Sequence, residues 1–129
     1  MRIALTTAQF GKVPPDFLGV RISQGRGFGP IDATLPEAMP SAVLLDDYKH
    51  GRTSWDKSVP DYLGGLDWGR DRLRHGVAGL VLEAEARGKA GLCFLCYEAA
   101  PEHCHRRLFL EWLGAGVLEG YDVEFLPPR

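Results

Sequence analysis

Ala90-Gly91-Leu92-Cys93-Phe94-Leu95-Cys96-Tyr97 is the stretch on which the fold turns. It is an apolar run without a charge, the pattern of a short strand buried on both faces of a parallel sheet. After Glu98-Ala99-Ala100 the chain continues as Pro101-Glu102-His103-Cys104-His105-Arg106-Arg107, and then Leu108, Phe109, Trp112 and Leu113 recur at helical spacing. A helix is therefore predicted over Pro101 to Leu113, with proline at its first position, where a fixed φ and a missing N–H cost nothing. A buried strand handing over to a helix is the corner at which open α/β sheets bind ligands, because the first N–H groups of the helix are unpaired and attract negative charge. All three cysteines and two of the four histidines fall in this stretch.

Working outward, Arg2 to Thr6 reads as a first strand and Thr7-Ala8-Gln9-Phe10-Gly11 as its polar exit turn. Phe17 to Ser23 alternates apolar and polar residues, a second strand, and Gln24 to Pro30 is a glycine-rich loop. That loop lacks the Gly-x-Gly-x-x-Gly spacing and no helix follows it, so it is read as a flexible connection and not as a dinucleotide site. Ser41 to Tyr48 is predicted as a short helix. Ser54 to Trp68 is a second one, interrupted near Pro60 and Gly64-Gly65. Arg70 to Arg87 is the clearest amphipathic helix, with Leu73, Val77, Leu80, Val81 and Ala84 on one face and its arginines on the other. Tyr121 to Leu126 reads as a last strand. Strands alternating with helices imply a mainly parallel sheet with flanking helices and right-handed crossovers, a Rossmann-like layered single α/β domain over residues 1–129.

The 129 residues are 45% hydrophobic and 25% charged, ordinary for one globular domain. A net charge of −2 argues against a dedicated duplex DNA binder. No apolar stretch approaches the roughly 20 residues that span a bilayer, and no signal-peptide pattern opens the chain, so a cytoplasmic location and no membrane partner are expected. Three cysteines are odd in number and too few for a secreted disulfide framework, and reduced thiols are expected.

Successive helical residues advance by about 100°. On that wheel His105 projects near the centre of the apolar face made by Leu108, Phe109, Trp112 and Leu113, Cys104 and Arg106 flank it, and Arg107 points away. An inward imidazole needs a partner: Glu98, Thr6 and Thr7 are the candidates, and the residue either pins the loop to the helix or transfers a proton. Cys104, in the first turn and beside His103, His105 and Arg106, has the setting that stabilises a thiolate, although a cysteine at the edge of an apolar stripe also serves as plain packing. Arg106 can hold a phosphate or carboxylate with its planar fork, or form a salt bridge to Glu98 or Glu102.

Spacing disposes of two sharper readings. An anion loop of the Cys-x5-Arg type needs an arginine where Glu102 follows Cys96 and Leu110 follows Cys104. Cys93-x-x-Cys96 resembles half a zinc site, but residues three apart in a strand point to opposite faces. A site made from Cys96, Cys104 and one histidine is retained only as a minor alternative, and no metal or other cofactor is assigned.

The run of a buried strand, Cys96, and then Cys104-His105-Arg106 resembles the family called domain of unknown function 488. Thr7-Ala8-Gln9-Phe10, Phe28-Gly29-Pro30 and Tyr48-Lys49-His50-Gly51 extend the resemblance over most of the chain. Gly29 stands where the family more usually has alanine, and Pro60 to Trp68 has no clear counterpart. The resemblance implies a small cytosolic α/β protein, with no reaction attached. The residues themselves suggest a small enzyme for an anionic metabolite or nucleotide-like ligand. In it Arg106 holds the anion, Cys104 acts as thiolate, and His105 and Glu98 handle protons or orientation, with Cys96, Thr7, Gln9 and Lys49 on the rim. The rivals are a non-catalytic nucleic-acid or phosphate-binding module and a metal-stabilised interaction domain.

Overall fold

The computed structural model describes residues 2–24, 26–96 and 105–127. Five parallel strands form one sheet: β1 (Ile3–Gln9), β2 (Phe17–Arg21), β3 (Ala33–Thr34), β4 (Gly91–Cys96) and β5 (Val123–Phe125), in the order β3-β2-β4-β1-β5. Four α-helices accompany it among the described residues: α1 (Ala42–Lys49), α2 (Trp55–Trp68), α3 (Arg70–Ala86) and α4 (His105–Trp112). The expected parallel α/β architecture is present. No helix among the described residues is long and apolar enough to cross a membrane.

The strand order explains why the two faces of the sheet differ. The connections β3 to β4 and β4 to β5 step in one direction across the sheet, whereas β1 to β2 and β2 to β3 step in the other. Right-handed crossovers place the first pair over one face and the second pair over the opposite face. Among the described residues only the first pair contain helices. Packing agrees: Ile3, Leu5, Leu18, Val20, Leu92 and Phe94 form the main core with residues from α2, α3 and α4. The alternate residues Ala8, Phe17, Cys93 and Leu95 instead meet Phe10, Val13, Ile31 and Leu126 from irregular chain.

β4 is the axis of this arrangement. All six of its residues are buried, and it pairs with β1 on one side and β2 on the other. Gly91 opens it in register with both Ala4 and Phe17, and a Cβ there would run into the Ala4 carbonyl and the Phe17 ring. Glycine is therefore required by the close approach of three strands.

Two expectations need correction. β1 runs on through Thr7 to Gln9, because Thr7, Ala8 and Gln9 pair with Phe94, Leu95 and Cys96; the polar residues read as an exit turn are the end of a central strand. α2 is continuous through Pro60, Gly64 and Gly65. Ser54 caps it by accepting from the Lys57 N–H at 3.2 Å, and the buried stripe Ser58, Tyr62, Leu66, one residue per turn, anchors it to the core. Tyr62 adds a hydrogen bond from its phenol to the Ala38 carbonyl at 2.6 Å. Packing of this face outweighs the poor helix propensity of residues that lie on the exposed side.

The glycine-rich segment is also more than a flexible connection. Phe28 meets Phe10 with ring centroids 5.8 Å apart, and a Cβ on Gly29 (φ +76) would lie 2.9 Å from the Gly11 Cα. Alanine at this position would thus be strained in this chain.

Candidate functional site

The carboxyl ends of β2, β4 and β1 lie side by side. α4, whose described part begins at His105, packs against β1 and β4. Of the residues singled out from sequence, Thr7, Gln9 and Cys96 lie at the ends of β1 and β4, and His105 and Arg106 open the described part of α4, which packs against both strands. Cys104 and Glu98 lie outside the described residues, as do Pro101 and the other residues from Tyr97 to Cys104. Lys49 ends α1 and is exposed. Its neighbour Tyr48 connects α1 to the edge through rings: Tyr48 to Trp55 at 5.8 Å, then Trp55 to His105 at 5.3 Å.

α4 sits differently from the wheel reading. Arg106 is only 2% exposed and shares the buried face with Phe109, Trp112 and Leu113. Phe109 takes the centre, edge-on to Phe94 of β4 with centroids 5.0 Å apart. His105 is turned towards α2 and rests between Trp55 and Tyr62, whose ring lies 4.8 Å away. The correction has a physical cause: an aromatic wall on α2 receives the imidazole, and the flat sheet surface favours the phenylalanine. Arg107 is exposed and pairs with Glu111 at 3.2 Å, as a surface arginine should.

These surroundings set the charges. Desolvation lowers the pKa of His105 from 6.5 to about 4, so the ring is neutral at neutral pH. It contributes hydrogen-bonding capacity and no positive charge, which removes one of the cations expected to favour a Cys104 thiolate. Arg106 keeps its charge, since guanidinium does not deprotonate in proteins. Burial also pushes the Tyr62 phenol above its ordinary value.

At the strand ends, Thr6 donates to the Pro127 carbonyl at 2.7 Å. Thr7 is fully buried, and its Oγ1 has no hydrogen-bond partner among the described residues. A buried hydroxyl in that state is costly and calls for an explanation, of which an absent ligand is one. Ser23 Oγ, just beyond β2, is buried in the same way. Sequence reasoning did not single out Ser23; its position at the end of the second strand is the only signal it carries. Gln9 stands opposite Cys96 in the β1–β4 register.

Cys96 is in a disulfide, against the expectation of reduced thiols, whereas Cys93 is a buried thiol in the cluster on the helix-free face. Cys93 belongs to that cluster and the alternation of β4 turns Cys96 to the other side, so the two sulfurs do not converge as a metal pair. No group of three or more His, Cys, Asp or Glu residues with metal-binding geometry occurs among the described residues.

The fold defines a small α/β protein with a five-stranded parallel sheet and flanking helices. A family model described as the active DUF488-N3 subclade, DUF488-N3a, matches residues 16–116. The chain belongs to the DUF488 family. The matched span contains β2 to α4 and leaves out β1 with Thr7 and Gln9. No curated protein and no solved structure matches the chain.

Proposed function

We propose that this protein is a small enzyme that binds an anionic metabolite, of nucleotide-like chemistry, at the carboxyl edge of β1 and β4. One observation carries the reading: Thr7 Oγ1, at the carboxyl end of β1, is buried without a hydrogen-bond partner among the described residues, and α4, which carries the buried Arg106, packs against β1 and β4. A planar guanidinium fork suits a phosphate or carboxylate. Thr7 Oγ1 is a hydroxyl available to the same ligand. Gln9 and Lys49 complete the rim, and Cys96 lies at its base. His105, neutral and aromatic-packed, accepts or donates a hydrogen bond, while Glu98 handles the proton and Cys104, when reduced, is the nucleophile. The word "active" in the description of the matched subclade fits an enzyme, though it names no reaction.

Calorimetric titration with a nucleoside monophosphate and with inorganic phosphate tests this, using the wild type and Arg106→Met. Methionine keeps the bulk of the stem and drops the charge. The expected result is binding by the wild type that weakens at least about tenfold in the variant, with an unchanged circular dichroism spectrum. If neither ligand binds and the variant simply unfolds, Arg106 is a structural ion-pair partner and the proposal fails. Cys104 has its own check: alkylation of the reduced protein should begin well below the free-thiol range of about 8.5.

A further inference from the structure

The partner of Cys96 in its disulfide follows from counting the chain's cysteines, of which there are three. Cys93 is a thiol buried in the cluster on the helix-free face, so a bond within one chain leaves Cys104, which lies outside the described residues. Direction agrees with the count. Leu92 and Phe94 pack in the main core, and alternation along β4 turns Cys96 to that same face. α4 covers this face, with Phe109 edge-on to Phe94, and its described part begins at His105, the residue after Cys104.

The elements on either side of the bridge hold their places without it. β4 is bonded to β1 and β2 on its two sides and all of its residues are buried. α4 is anchored by Phe109 and Trp112 in the core and by the Trp112 indole N–H, which donates to Asp67 at 2.8 Å. The ring closed by the bond spans only residues 96–104, and a short ring restricts the unfolded chain less than a long one. The fold can therefore stand with the bond open.

We infer that Cys96 and Cys104 form a reversible thiol pair that governs the site through its nucleophile. The inference rests on the role of Cys104 proposed above: a sulfur held in a disulfide cannot attack, and reduction releases it. Cys96 is 3% exposed and out of reach of a disulfide the size of oxidised glutathione, so exchange starts at Cys104. The Cys104 thiolate attacks one sulfur of glutathione disulfide and expels a glutathione thiolate. The Cys96 thiolate then attacks the Cys104 sulfur of the mixed disulfide and expels the second. Two protein thiols are oxidised, one glutathione disulfide is reduced to two glutathiones, and the two thiol protons pass to them. Excess glutathione drives the same steps backwards.

Equilibrating the native full chain in glutathione buffers of graded reduced-to-oxidised ratio tests this, with an acid quench and thiol counting by alkylation in denaturant. The expected count is one thiol, Cys93, in the oxidising buffers and three in the reducing ones, with an unchanged circular dichroism spectrum. Cys93→Ala should retain the bridge and Cys104→Ser should abolish it. Three thiols in every buffer, or a single thiol even in excess dithiothreitol, would overturn the inference. So would loss of the native spectrum on reduction, which marks a structural bond, or a bridge that survives Cys104→Ser. The counting uses no anionic ligand, so its outcome is separate from the phosphate titration that tests the anion site.

Discussion

His105 makes stability depend on acid in a way that can be worked out from its surroundings. In the folded protein its pKa is about 4, lowered by desolvation between Trp55 and Tyr62, against an ordinary 6.5 in the unfolded chain. Above pH 6.5 the ring is neutral in both states and the shift has no effect. Between pH 6.5 and 4 the unfolded chain takes up a proton that the folded one refuses, so stability falls as the pH falls, by up to about 1.4 kcal/mol per pH unit. Below about 4 both states are protonated and the loss is complete, at about 3–3.5 kcal/mol. The perturbation is His105→Phe, which keeps a ring against α2 and removes the titration. Urea unfolding of both proteins at a series of pH values gives two stability curves, and their difference cancels the carboxylates that titrate in the same range. The wild type should lose more than the variant across pH 6.5 to 4, and run parallel to it above. Parallel curves throughout, or an imidazole NMR titration near 6.5, would refute the reasoning.

Three further substitutions probe the frame that holds the site. Tyr62→Phe leaves the Ala38 carbonyl without its donor and should cost about 1–3 kcal/mol in denaturant unfolding. Gly64→Ala, on the exposed side of α2 with nothing within 4 Å of the new Cβ, should raise stability by about 0.5–1 kcal/mol, readable as a higher melting temperature. Gly91→Ala drives a methyl into the Ala4 carbonyl and the Phe17 ring and should lower stability by about 1–3 kcal/mol, with loosened amide-exchange protection across β1, β4 and β2.

How far the chain could be read in advance varied with how local the deciding interactions are. β4 and α3 were legible because an unbroken apolar run and a regular apolar stripe state burial directly. α2 was read as interrupted because Pro60, Gly64 and Gly65 disfavour a helix on their own, while the contacts that override them, Tyr62 to Ala38 among them, come from distant chain. Thr7 and Gln9 looked like a turn because their polarity is visible and their pairing with Phe94 and Cys96 is not. The insertion of β4 between β1 and β2 is likewise non-local, and it decides where the sheet opens. That Cys96 ends a buried strand and His105 and Arg106 belong to the next helix was legible from their order alone. The burial of Arg106 was not, since the helical wheel places it at the rim of the apolar face and His105 at its centre. Nor was the aromatic wall that neutralises His105, because Trp55 and Tyr62 belong to the helix whose continuity was in doubt.

The central claim is that an anion is held at the carboxyl ends of β1 and β4, with Arg106 of α4 as its cation. Amide chemical-shift mapping with inorganic phosphate and a nucleoside monophosphate tests it most directly. The account predicts saturable shifts confined to Thr7, Gln9, Cys96, His105 and Arg106 and their immediate neighbours. Shifts centred elsewhere, or none at saturating ligand, would contradict it.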